Sequence, residues 1–181
     1  AVLSWTNFGS GTDAIAVGET LTYQLPSAKA SVLNIVTGGA NTQIDGYLES
    51  NGKVYILNPN GIIIGGGARI NTAGLVLSTV DNPFAAQFKY LTDGVIPSET
   101  GTRTASGNVA INSNALVLTP NIVLLAKDVN IGGALINSTT TINADGAVAI
   151  GTGGAVTSFG GDLTISNPTG STTLGVPTAI V

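Results

Sequence analysis

Short runs of apolar residues, separated by Gly, Asn and Pro, recur along the whole chain. Three of them lie close together at residues 54–57, 62–64 and 75–77, and each is too short for a typical helix. The first gap holds the sequence Asn-Pro-Asn-Gly at 58–61, whose residues pre-set a turn or tolerate a positive φ. A Gly triplet at 65–67 breaks the next gap. Short buried strands joined by tight corners are typical of a coiled β-sheet.

The second half of the chain repeats this pattern. Apolar triplets centre on residues 110, 117, 123, 130, 135, 142, 148, 156, 164 and 173. Three consecutive gaps span roughly 20 residues, the length of one three-strand coil in a solenoid, which predicts about seven or eight coils. Asn tolerates the left-handed conformation of tight corners. We therefore expect most of the Asn residues in this half to lie at corners, namely Asn108, Asn112, Asn114, Asn121, Asn130, Asn137 and Asn143.

Residues 81–107 interrupt the repeat. Phe84, Phe88 and Tyr90 have helix-like spacing, and polar and Pro-containing residues follow them. We predict a short helical or irregular segment at 82–90 and a hairpin or loop at 91–106, both outside the coil. The domain prediction is therefore one β-helix domain over 1–181 with an extra-helical excursion at 81–107.

A series of ordered motifs in the first 90 residues points to a family. The motifs are Trp5-Thr-Asn7-Phe8, Gln24-Leu-Pro26-Ser27, Leu33-Asn34-Ile-Val-Thr37-Gly38-Gly39, Gln43-Ile44-Asp-Gly46, Asn51-Gly52-Lys-Val54, Asn58-Pro-Asn-Gly-Ile62, Gly74-Leu75 and Ser78-Thr79. Together they resemble the amino-terminal secretion domain of two-partner-secretion exoproteins, the filamentous-haemagglutinin-like adhesins and haemolysins of Gram-negative bacteria. Several motifs in order are more specific than any one of them.

The resemblance implies a fold and a role. It implies a right-handed parallel β-helix that a partner transporter of the outer membrane recognises in the periplasm and exports. The product would be secreted or held at the cell surface as part of an adhesin or other exoprotein, and its folding would begin on this domain. The export and folding motif carried over from the family is Asn58, Pro59, Asn60, Gly61 and Ile62. On this resemblance, the motif would act either by contacting the transporter or as a tight turn between two strands on which folding depends.

Composition excludes several classes of function. Charged residues make up 9% of the chain, the net charge is −4, and the six basic residues are scattered. There is no basic patch, so we expect no nucleic-acid partner. The chain has no Cys and no His. This removes disulfides, thiolate metal sites, the commonest general base and every triad that contains His.

Carboxylates are the remaining candidates for catalysis. Asp128, Asp145 and Asp162 are evenly spaced along the chain at close to the length of one coil, a spacing that favours stacking along one edge. Some enzymes with a β-helix fold use such Asp clusters to cleave polysaccharides. The competing interpretation is that each Asp makes local turn hydrogen bonds. We assign no catalytic, cofactor-binding or metal-binding residue and predict a non-enzymatic protein, with a β-helical carbohydrate-active enzyme as the remote alternative.

The chain ends suggest a second alternative. Residues 1–3 and 177–181 are largely apolar, and an open coil edge presents unpaired backbone groups. Either the chain is a piece of a larger exoprotein, or it is a structural subunit of an extracellular fibre that self-associates through its ends. A carbohydrate or protein receptor on a host or other surface is left undetermined.

Overall fold

The computed structural model describes residues 1–9, 15–80, 104–151, 153–158, 161–167, 170–174 and 179–180. Within these ranges all regular structure is β-strand, arranged in three parallel sheets. No helix in the described part of the chain is long and apolar enough to cross a membrane. The prediction of an all-β parallel β-helix is confirmed.

Successive coils pass through the three sheets in the same order, and among the described residues the first coil has no strand in sheet 2. Sheet 1 has seven strands: β1 (Val2–Trp5), β3 (Ser31–Val36), β6 (Lys53–Leu57), β9 (Gly74–Ser78), β12 (Asn121–Ala126), β15 (Thr139–Ala144) and β18 (Leu163–Ser166). Sheet 2 has six: β4 (Thr42–Ile44), β7 (Ile62–Ile64), β10 (Val109–Ile111), β13 (Val129–Ile131), β16 (Val148–Ile150) and β19 (Thr172–Leu174). Sheet 3 has seven: β2 (Thr20–Tyr23), β5 (Tyr47–Ser50), β8 (Arg69–Asn71), β11 (Leu116–Leu118), β14 (Ala134–Asn137), β17 (Ala155–Ser158) and β20 (Ala179–Ile180). The described strands therefore form seven coils, as the repeat predicted.

The strand register shows where the repeat is interrupted. Val32, Val54 and Leu75 stack on one another in sheet 1, so these successive coils are almost equal in length. The next residue in this stack is Ile122, which lies more than two such coil lengths beyond Leu75 in the sequence. The extra residues lie between β9 and β10, where Val80 and Ala105 form an antiparallel bridge. Residues 81–103 lie outside the described residues, and with them the helical or irregular segment at 82–90 and most of the hairpin or loop at 91–106.

The apolar triplets of the second half correspond one by one to β10 through β19. The prediction about Asn is only partly right. Asn108, Asn112 and Asn114 lie at corners, and Asn114 has a φ of 69°, in the left-handed region. The other four Asn residues lie inside strands: Asn121, Asn130, Asn137 and Asn143.

The core runs along the inside of the coil, and the central strands of sheet 1 (β3, β6, β9 and β12) are buried on their outer side as well. In sheets 2 and 3 buried and more exposed residues alternate, as in Val109–Ile111 of sheet 2 and Arg69–Asn71 of sheet 3. In Lys53–Leu57 and Asn121–Ala126 of sheet 1, every residue after the first is buried. The outward side chains of these central strands form a separate apolar cluster together with Val80 and Ala105: Leu33, Ile35, Tyr55, Leu57, Val76, Val123 and Leu125. Burial on both faces explains why these strands are continuous apolar runs.

Candidate functional site

Residues 58–61 form the corner between β6 of sheet 1 and β7 of sheet 2, in the third coil. The Gly61 N–H donates to the Asn58 carbonyl oxygen at 3.1 Å, the hydrogen bond that closes a four-residue β-turn. Pro59 occupies the second turn position, which its fixed φ favours. The Asn60 N–H also donates to the Asn58 Oδ1 at 3.0 Å, so the side chain of Asn58 reinforces the turn that begins with it.

Asn58 is the centre of this corner and is completely buried. Its Nδ2 donates to the Ala40 carbonyl oxygen and to Thr42 Oγ1, each at 3.0 Å, and both acceptors belong to the preceding coil. Its Oδ1 accepts from the backbone N–H and the side-chain amide of Asn60, at 3.0 and 3.1 Å. Two donors and two acceptor positions are all that an Asn amide has, so this side chain is fully satisfied.

The same contacts explain why this position is Asn. Rotating the amide by 180° would point Nδ2 at the two Asn60 donors, so the hydrogen-bond network determines the orientation. An Asp side chain would offer no donor to Ala40 and Thr42 when ionised, and Ser or Thr would supply a single hydroxyl. The backbone of Asn58 is satisfied too, since its N–H donates to the Ser78 carbonyl oxygen at 2.9 Å.

Asn60, Gly61 and Ile62 attach the turn to its neighbours. The Asn60 side chain is exposed, but its Nδ2 donates to the Gly38 carbonyl oxygen of the preceding coil at 2.7 Å. Gly61 has a φ of 126°, a region that strongly favours glycine, which confirms the prediction of a positive φ there. Ile62 is completely buried in β7, between Thr42 and Val109 of the adjacent coils.

The corner therefore presents little of itself to a partner. Asn58, Gly61 and Ile62 are buried, Pro59 is half-buried, and only Asn60 is exposed. Residues 58–62 carry no ionisable side chain, so they have no acid, base or nucleophile to offer. The side chains of Asn58 and Asn60 hydrogen-bond the turn to the preceding coil.

A second polar centre lies at Asn34, which the sequence analysis did not single out as a site residue. Asn34 is completely buried in β3, and its Oδ1 accepts from Trp5 Nε1 at 3.0 Å and from the Tyr23 hydroxyl at 2.6 Å. Its Nδ2 donates to the Tyr55 carbonyl oxygen at 3.2 Å. The available signal was a polar residue inside the apolar run 32–36. This amide links the first three coils.

We expect the free energy of unfolding to fall at alkaline pH because of the Tyr23 hydroxyl. Its burial raises the pKa of the hydroxyl from 10.0 to about 12, while the hydrogen bond to Asn34 opposes the shift. The unfolded chain ionises first, so this contribution is fully present below pH 10 and is lost as the pH rises through about 12. Burial also raises the pKa of Tyr55, with a hydrogen bond to Ser31 opposing the shift, so its contribution has the same sign. Urea unfolding from pH 8 to 12 measures this loss. The loss of unfolding free energy between pH 8 and 12 should be smaller in Tyr23→Phe than in the wild type. The same dependence of the unfolding free energy on pH in both proteins would contradict the assignment to Tyr23.

Asn137 provides a contrast with Asn58. It is also buried, and its Oδ1 accepts from the Thr140 hydroxyl at 2.9 Å. Its Nδ2 is the one buried side-chain polar atom without a hydrogen-bond partner among the described residues. A groove of about 300 Å³ beside it is lined by Asn71, Leu118, Thr119, Pro120, Ile136, Asn137 and Ser138 and has no charged side chain.

The carboxylates do not form the row that their spacing suggested. Asp128 and Asp145 follow β12 and β15, at the corner from sheet 1 to sheet 2. Asp162 directly precedes β18, at the corner from sheet 3 to sheet 1, so the stacking prediction is wrong for this residue. Asp128 Oδ1 accepts from the Ala147 N–H at 2.7 Å, and Asp145 Oδ2 accepts from the Ala105 N–H at 2.9 Å. No group of three or more metal-binding side chains occurs in the described part of the chain.

Comparison with known proteins decides the family. The family model described as the TPS secretion domain, the secretion domain of two-partner secretion, matches residues 1–179. The chain belongs to the TPS secretion domain family. The resemblance carried by the sequence motifs is thus confirmed over nearly the whole length of the chain.

Curated relatives of this TPS domain are much longer proteins. A heme/hemopexin-binding protein of Haemophilus influenzae strain Rd is 43% identical over 79 residues, which cover 44% of this chain and 8% of the relative. A second heme/hemopexin-binding protein of Haemophilus influenzae is 42% identical over 81 residues, covering 45% of this chain and 8% of the relative. The matched segment is therefore a small part of each relative.

Proposed function

We propose that this chain is the non-enzymatic export and folding module of a two-partner-secretion exoprotein. In this role it is recognised by a partner transporter in the outer membrane after crossing the periplasm, and it starts β-helix folding at the outer surface. The observation that carries the proposal is the corner at 58–62, in which a completely buried and fully hydrogen-bonded Asn58 joins consecutive coils. Family membership supports the export role.

The corner favours folding over direct transporter contact as the way in which the motif acts. Four of the five motif residues are wholly or partly buried, and the side chains of Asn58 and Asn60 hydrogen-bond within the corner and to the preceding coil. A folded corner offers a transporter Asn60 and part of Pro59. We propose that the motif supports export because it stabilises the first coils that fold.

The names of the relatives suggest that export and ligand binding belong to different parts of the exoprotein. Their names describe heme and hemopexin binding, and this chain lacks His, Cys and Met, which are common heme ligands. The sequence match covers only 8% of each relative. We therefore assign export to this domain and ligand recognition to other parts of the exoprotein. Adhesion and self-association through the coil ends stay predictions.

Export measured beside stability tests the proposal. The chain and its outer-membrane partner are produced together, and the exported fraction is compared for the wild type, Asn58→Ala and Asn60→Ala. We expect the loss of export to follow the loss of stability, with Asn58→Ala much worse than Asn60→Ala, because Asn58 is buried and Asn60 is exposed. Asn71→Ala, an exposed Asn in β8, is the control. Export abolished by Asn60→Ala at nearly unchanged stability would show a transporter contact instead.

A further inference from the structure

A second segment of the chain, residues 104–108, lies directly on the corner at 58–62. The Ile62 N–H donates to the Asn108 carbonyl oxygen at 3.0 Å, so this segment accepts the first backbone hydrogen bond after the turn. A Cβ added to Gly107 would lie 2.5 Å from the Gly61 nitrogen and 2.6 Å from the Pro59 carbonyl oxygen. Backbone packs against backbone here, and only glycine permits that approach.

Specific hydrogen bonds hold this segment in place. The Gly107 carbonyl oxygen accepts from the Thr79 hydroxyl at 2.7 Å and from the Lys127 N–H at 2.9 Å. The Ala105 N–H donates to Asp145 Oδ2 at 2.9 Å, and Ala105 also pairs with Val80. Thr79 is completely buried, and the second acceptor of its hydroxyl, the Leu125 carbonyl oxygen, is more distant at 3.5 Å. Contacts from Thr79 and Val80 in the fourth coil, and from the two coils that follow it, therefore hold the segment in place.

We propose that residues 104–108 are the second half of the export and folding motif, with Gly107 and Asn108 as its positioning residues. The turn at 58–61 is held from one side by Gly38, Ala40 and Thr42 of the preceding coil and from the other side by this segment. Asn108 comes far after Ile62 in the sequence, so the corner closes only when both segments are on the same side of the membrane. The consequence for export rests on the proposed function, whereas the closure of the corner does not.

Amide hydrogen exchange on the full purified chain tests the closure. Gly107→Ala should accelerate exchange at Gly61 and Ile62 by about tenfold or more, because the added Cβ pushes the segment off the turn. Gly39→Ala is the matched control. Gly39 lies at the same corner of the preceding coil, a Cβ there meets nothing within 4 Å, and exchange at Gly61 and Ile62 should stay unchanged.

Thr79 supplies a milder pair of variants if Gly107→Ala fails to fold. Thr79→Val keeps the volume of the side chain and removes the hydroxyl that donates to Gly107, so Ile62 should exchange faster. Thr79→Ser keeps the hydroxyl and should restore the protection of Ile62, a rescue that loss of packing alone would not give. Unchanged exchange at Ile62 in both Gly107→Ala and Thr79→Val would overturn the proposal.

An export measurement separates this inference from the proposed function. If Gly107→Ala and Thr79→Val open the corner and also reduce export through the partner transporter, the results support both the inference about residues 104–108 and the proposed function. If they open the corner and export is unchanged, the second half of the motif stands and the folding role in export fails. If exchange is unchanged, the inference fails whatever export does.

Discussion

Asn58→Ala should lower the free energy of unfolding by about 3–5 kcal/mol, the largest effect we expect from a single substitution at the corner. The change removes four hydrogen bonds at once. It leaves the buried Thr42 hydroxyl and the partly buried Ala40 carbonyl and Asn60 N–H without their partner. Each buried group left unsatisfied costs about 1–3 kcal/mol, although neighbouring groups share part of that loss.

Urea unfolding measures this effect, with the slope of the transition compared between variants to check that the same surface unfolds. Asn137→Ala is the matched control, because Asn137 is also buried but makes one side-chain hydrogen bond and leaves its Nδ2 unpartnered. Both variants remove the same side-chain atoms from a buried position, so the difference between them reports mainly the hydrogen bonds. We expect Asn137→Ala to cost no more than about 1–2 kcal/mol. Equal losses for the two variants would show that Asn58 contributes through packing alone.

Gly61→Val should lower the melting temperature by about 5–10 °C. The φ of 126° at Gly61 is one that a β-branched residue avoids, and forcing it costs about 1–3 kcal/mol. The new Cβ would also lie 3.3 Å from the Asn108 carbonyl oxygen, which already accepts from Ile62. The strain therefore acts on the contact that closes the corner.

Circular dichroism melts of Gly61→Val and Gly39→Val make this comparison. A Cβ at Gly39 meets nothing within 4 Å and its φ is not in the left-handed region, so that variant should melt close to the wild type. Unchanged melting of Gly61→Val together with abolished export would show that the motif contacts the transporter rather than shaping the coil.

Local pattern alone predicted the strands and the turns. Each apolar triplet of the second half became a strand because alternation of apolar residues and turn-forming residues acts over a few positions. The turn at 58–61 was visible for the same reason, since Pro59 and Gly61 carry their backbone preferences with them. The apolar runs at 54–57, 62–64 and 75–77 already indicated short buried strands.

The sequence pattern did not predict which residues pair with each other in adjacent coils, because the coils differ in length. Ile122 stacks on Thr140 and Thr140 on Leu163, and the second of these coils is the longer one. An even spacing along the sequence therefore could not place Asp162 at the corner where Asp128 and Asp145 lie. The same variation is why the Asn residues of the second half divide between corners and strands.

By itself the sequence determined the family, the coiled all-β architecture and the turn at Asn58, because these depend on short segments whose residue types have strong backbone and burial preferences. Only the tertiary structure decided which distant residues complete that turn. The contacts of Asn58 with Thr42, and of Gly61 and Ile62 with Asn108, join segments of different coils. Such contacts depend on the register of whole coils and on where the chain returns after residue 103. No local preference encodes either.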